Sequence, residues 1–72
     1  MKLSEQMSVI SDDKVEVWQN GEMLFDNYRV VLGKYRDDVE AEIEKYGEKK
    51  VLAVECEYNL GEGFPYITIE ID

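Results

Sequence analysis

Val51-Leu52-Ala53-Val54-Glu55-Cys56-Glu57-Tyr58-Asn59 and Tyr66-Ile67-Thr68-Ile69-Glu70-Ile71 flank the turn-forming run Gly61-Glu62-Gly63-Phe64-Pro65. In the first flank Leu52, Val54, Cys56 and Tyr58 share one face, and Ala53, Glu55, Glu57 and Asn59 the other. In the second flank Ile67, Ile69 and Ile71 alternate with Tyr66, Thr68 and Glu70. A two-residue period is the signature of a half-buried strand, and glycine with proline supplies the turn between two of them. The stretch therefore predicts a hairpin with one apolar face and one acidic face.

Just upstream, Tyr35, Val39, Ile43 and Tyr46 fall on one side of a helical wheel. This predicts a helix from about Lys34 to Tyr46, with Asp37 and Asp38 in its electropositive first turn and Gly47 as the C′ residue. Its apolar side is expected to pack on Leu52, Val54, Cys56, Ile67, Ile69 and Ile71. Before it, Tyr28-Arg29-Val30-Val31-Leu32-Gly33 reads as extended, because of its β-branched pair and glycine. The apolar spacing of Tyr28, Val31 and Leu32 leaves a single longer helix as the alternative.

Further upstream, Asn20-Gly21 separates Val15-Glu16-Val17-Trp18 from Met23-Leu24-Phe25. A type I′ turn needs positive φ at both central residues, so this pair predicts a hairpin of about 14–19 and 22–26. Uninterrupted pairing sets Trp18 beside Met23, Val17 beside Leu24 and Glu16 beside Phe25, so both faces are partly apolar. The second apolar face must meet the chain's own N-terminal arm, a second subunit or another partner. Residues 1–13 hold no lasting period and read as that arm, followed by a single domain over 14–72. The strand, strand, helix, strand, strand order gives the expected fold class: α+β, a small antiparallel sheet of about four strands with one helix on one face.

Composition narrows the chemistry. The chain has 72 residues with 17 Asp and Glu against 8 Lys and Arg, a net charge of −9. At this size about three-fifths of the unfolded surface is buried on folding, so the core is small, while 44% apolar residues is too many for an acidic disordered tail. There is no His and a single Cys. That removes the usual neutral-pH general base, zinc clusters, an internal disulfide and a Cys-x-x-Cys pair. The N-terminal residues lack a signal-peptide run and no stretch is long and apolar enough for a span, so a cytoplasmic, membrane-free protein is expected.

No residue set reads as catalytic, metal-binding or cofactor-binding, and no enzyme is expected. The carboxylate pairs Asp12-Asp13, Asp37-Asp38 and Glu55 with Glu57 lack a cleft to separate their pKa values. Asp12-Asp13 lacks the calcium-loop pattern, and Gly61-Glu62-Gly63 lacks the third glycine and following helix of a dinucleotide loop. Cys56, on an inward strand face without a His, reads as a small buried hydrophobe. Direct nucleic-acid binding is opposed by charge, since stacking sheets are paired with basic grooves.

The acids themselves carry the functional expectation. Asp37, Glu40 and Glu44 lie on the outer helix face, and Glu55, Glu57 and Glu70 on the outer sheet face. Like-charge pairs four residues apart, such as Glu40 with Glu44, weaken an isolated helix by a few tenths of a kcal/mol. Carboxylates at this spacing rise about 6 Å along the axis, close to a run of backbone phosphates. Together with apolar anchors at Trp18, Met23, Phe25 and Tyr66, they suggest an inhibitor that mimics nucleic acid and occupies a basic site on a nucleic-acid enzyme. In size and charge the chain resembles the small acidic proteins that phages and mobile elements use against restriction or CRISPR enzymes. No motif carries that resemblance, so no residue role is transferred. The alternative is a homodimeric assembly module using the apolar face of the first hairpin.

Overall fold

Asn20 and Gly21 both have positive φ, 52° and 80°, as a type I′ turn requires. They join β1 (Lys14–Gln19) to β2 (Glu22–Tyr28) in a computed structural model that describes residues 1–11, 14–28, 34–61 and 63–72. The other elements are α1 (Leu3–Met7), α2 (Asp37–Tyr46), β3 (Val51–Asn59) and β4 (Phe64–Ile71). Asp12, Asp13, the 29–33 part of the ambiguous segment and Glu62 lie outside the described residues. Tyr28 closes β2, and Arg36 has the extended backbone of an N-cap, so α2 starts after 36.

The fold is α+β, in the order β-β-α-β-β, with a short extra helix at the start. The sheet is mixed where a purely antiparallel one was expected. Its strand order is β2-β1-β4-β3, with antiparallel outer pairs and a parallel β1–β4 pair at the centre. Each hairpin is fixed locally by its turn, but which strands meet between hairpins is a tertiary choice. Here the β-branched residues of β1 and β4 come together, with Val15 beside Ile67 and Val17 beside Ile69. The segment containing α2 supplies the crossover that parallel strands need.

A bulge between Val17 and Trp18 changes the expected register of the first hairpin. Trp18 still faces Met23, but Val17 faces Phe25 and Glu16 faces Asp26. The extra residue moves Phe25 to the core side, where it packs on the buried cluster. Trp18, Met23 and Glu16 are left on the outer face, so the core face gains Phe25 while the outer face stays only partly apolar.

That core face is covered first by the N-terminal residues. Leu3, Met7 and Ile10 are buried against Val15, Val17, Ile69 and Ile71. Main-chain bonds fix α1 in place, with Leu3 N–H donating to Lys49 O at 2.9 Å and Ser4 N–H to Gly47 O at 3.0 Å. Tyr35 Oη donates to Met7 O at 2.7 Å. Gly47 is right-handed, with φ −59°, not the left-handed C′ residue expected. It is small because a Cβ there would lie 2.6 Å from Ile43 O and 3.2 Å from Ser4 Cβ.

Helix α2 packs against α1 and β2, with Ile43 and Tyr46 reaching the core cluster. It does not cover β3 as expected. Leu52 is 54%, Val54 45% and Tyr58 58% exposed, and Cys56 is exposed rather than buried. The reason is steric, because α1 occupies the central strands and displaces α2 toward the opposite edge of the sheet.

Candidate protein-binding face

The outer face of the sheet is assembled in rows. Ala53 lies beside Glu70 and Glu70 beside Trp18; Glu55 lies beside Thr68 and Thr68 beside Glu16; Glu57 lies beside Tyr66. Neighbouring strands stand about 4.8 Å apart and same-face residues of one strand about 7 Å apart. The alternation that buries Val15, Val17, Ile69 and Ile71 thus sets four glutamates and two aromatic rings on one surface. They line a shallow open depression of about 300 Å³.

Hydrogen bonds orient this surface. Trp18 Nε1 donates to Glu16 Oε1 at 3.0 Å, holding the indole along the sheet. Lys14 Nζ meets Glu16 Oε2 at 2.9 Å and Asp26 Oδ2 at 3.7 Å, and it sits 4.7 Å from the Tyr28 ring centroid and 5.7 Å from that of Tyr66. The hydrogen bond to Glu16, then that to Tyr28, raises the Lys14 pKa despite partial burial. Tyr66 Oη donates to Glu57 Oε2 at 2.6 Å, and this bond raises the phenol's pKa. Lys14 is the one Lys or Arg in the four strands, and its charge is committed to Glu16 and Asp26. Glu55, Glu57 and Glu70 therefore face solvent with no cation within ion-pairing distance among the described residues.

The expected site residues separate into two groups. Glu55, Glu57, Glu70, Trp18 and Tyr66 meet on the outer sheet face, with exposed Met23 beside Trp18. Asp37, Glu40 and Glu44 line a groove between α1 and α2, on the core side of the sheet. The two acidic surfaces are thus separated by the protein's core, and one flat partner surface does not reach both. Phe25, facing the core, belongs to neither. Glu16 and Lys14 were missed as site residues, although Val15-Glu16-Val17 alternation already placed Glu16 outward.

Chemically, the sheet face is an acidic platform with aromatic walls, suited to cationic side chains. Carboxylates attract ammonium and guanidinium groups, and the Trp18 and Tyr66 rings offer π-faces. Among the described residues no cluster of three or more His, Cys, Asp or Glu side chains is arranged to hold a metal ion. Likewise no helix among them is long and apolar enough to cross a membrane. No protein-family model, curated protein or solved structure matches the chain.

Proposed function

We propose that the chain is a non-enzymatic protein-binding module whose outer sheet face engages a basic surface on another protein, standing in for nucleic acid in the groove of a nucleic-acid enzyme and so inhibiting it. The observation that supports this is the convergence of Glu16, Glu55, Glu57 and Glu70 around Trp18 and Tyr66, with Lys14, the one cation of the four strands, already paired. A solvated face made for solubility needs neither the aromatic walls nor the absence, among the described residues of its strands, of a free lysine. The helix acids Asp37, Glu40 and Glu44 act at longer range, adding to the negative field that speeds encounter. Homodimerisation through the first hairpin is less well supported, since Phe25 faces the core.

Capture from a cytoplasmic lysate tests the reading, using the immobilised wild-type chain and a Glu55→Lys/Glu57→Lys/Glu70→Lys variant. The expected partner is a nucleic-acid-binding protein that DNA competitor displaces and the variant does not retain. Its association rate should fall steeply with ionic strength. Retention of the same partner by the charge-reversed variant, or indifference to competitor DNA, would refute mimicry.

A further inference from the structure

The free edge of β3 is a second surface, and its chemistry names an occupant. Among the described residues β3 pairs with β4 alone, apart from the Lys2–Lys50 bridge and the bond from Val51 N–H to Met1 O at its beginning. Asp72 N–H donates to Lys50 O on the β4 side. Antiparallel ladders alternate bonded and non-bonded pairs. Carried past the bulge between Val51 and Ala53, that alternation points the N–H and C=O groups of Val54, Cys56 and Tyr58 away from β4. Tyr58 stands opposite Pro65, which has no N–H to give, as this pattern requires. Three main-chain donors and three acceptors therefore face outward along about 17 Å of strand.

The side chains around this edge are of two kinds. Val54, Cys56 and Tyr58 lie on the core side yet are exposed, because neither helix reaches them, and Leu60 beyond them is 90% exposed. Glu55 and Glu57 lie on the other side. A second copy adding here with its faces matched and centred on Glu55, Cys56 or Glu57 sets glutamate opposite glutamate: centring on Cys56 pairs Glu55 with Glu57 twice. Like charges directly opposite destabilise a pair of strands, and each chain carries −9 overall. A strand with basic residues against Glu55 and Glu57 and apolar residues against Val54, Cys56 and Tyr58 reverses every one of those terms.

We infer that β3 captures an extended segment of a protein partner by strand addition, the segment alternating basic and apolar residues over about five positions. This deepens the function proposed above and rests on it for the sign of the partner's charge. Main-chain bonds supply the grip, while the alternating side chains supply selectivity. Glu55 and Glu57 border both surfaces, so the captured strand sets a basic row against the rim of the acidic platform. The same two glutamates guard the edge against self-association.

The probe is a synthetic heptapeptide alternating valine and lysine, capped at both ends and titrated into the full chain under NMR observation. The expected result is shift changes and slowed hydrogen exchange at the amides of Val54, Cys56 and Tyr58. Methylating the peptide nitrogens that face β3 should weaken binding at least about tenfold, as should rearranging the same residues into a lysine block and a valine block. Cys56→Pro, which removes an outward N–H and no β3–β4 bond, should weaken it similarly; the methylated peptide decides the matter should that variant not fold. Equal binding of the methylated peptide, or no binding at about millimolar concentration, overturns strand addition. Shift changes confined to Trp18 and Glu70 also overturn it while leaving the acidic-face function standing. Equal binding of a valine–glutamate peptide overturns the basic partner and with it that function. Doubled mass by sedimentation without peptide, with those three amides protected, assigns the edge to a second copy and overturns the inference.

Discussion

Replacing Leu3 by alanine should be among the most damaging single changes in the protein. Leu3 is fully buried in the cluster formed with Met7, Val15, Val17, Ile69 and Ile71. The substitution removes three carbons, worth about 2.4 kcal/mol in transfer at ~0.8 kcal/mol each. The residual cavity adds to that, although a helix as short as α1 can settle inward, so about 3 kcal/mol is expected, toward the lower end of buried Leu→Ala changes. Typical per-residue stability gives a domain of this length about 4–11 kcal/mol, so a large fraction is at stake. Thermal unfolding followed by far-UV circular dichroism should show Tm lower by about 12–24 °C. In urea, with m near 1 kcal/mol/M, the midpoint should fall by about 3 M or leave no native baseline. Val9→Ala is the internal control: Val9 is on the same arm but 63% exposed, and its loss should stay within about 0.5 kcal/mol. Equal, small effects at both positions would show that the arm is not part of the core.

Three further outcomes follow from named contacts. Gly47→Ala should cost about 1–3 kcal/mol in urea unfolding, since its Cβ would press on Ile43 O and Ser4; a neutral or stabilising result, as helix propensity alone predicts, would contradict the close α1–α2 contact. The Tyr35 phenol is pushed up to about 12, first by burial and then by Glu40. Its pKa is thus higher folded than unfolded, so its contribution is complete below about pH 10 and is lost as pH climbs from there toward 12, by roughly 1 kcal/mol after allowance for solvent screening. Tyr35→Phe should flatten that part of the alkaline stability profile while costing about 1 kcal/mol at neutral pH through the lost bond to Met7 O; an unchanged slope would refute the assignment. Glu16→Gln should destabilise by about 1–3 kcal/mol, because it strips the largely buried Lys14 of its nearest carboxylate, and should alter Trp18 fluorescence through the indole hydrogen bond; a variant as stable as wild type with an unaltered spectrum would show that this contact is not formed.

The parts of the fold that were legible are those with local causes. Asn20-Gly21 dictates its hairpin because two successive positive φ values exclude most residue pairs. The alternation over 51–59 and 66–71 dictates strands, and with them the outward glutamates. The parallel β1–β4 pairing was not legible, because Val15 and Val17 would pack equally well on another apolar strand. The bulges escaped too, since neither Val17-Trp18 nor Val51-Leu52-Ala53 contains the glycine that often marks one. A five-residue α1 is too short to show a helical period or to stand alone; its helicity comes from burying Leu3 and Met7. Alternation also cannot say whether an apolar face is covered: Val54 and its cross-strand partner Ile69 read alike, yet one is 45% exposed and the other buried.

That last failure bears on function more than the others. A chain of −9 charge that merely needed solubility gains nothing from leaving a valine, a cysteine and a tyrosine bare along an open strand. Such edges are aggregation hazards, and covering or charging them is the usual remedy. Here the charge sits on one face of the edge and the bare apolar groups on the other, which blocks a like-charged copy while leaving the strand's main-chain groups accessible. Net charge alone pointed to a basic partner of unspecified shape. On the reading proposed above, the uncovered edge adds a shape, an extended strand, and the position of Glu55 and Glu57 at the border of both surfaces places that strand beside the outer sheet face.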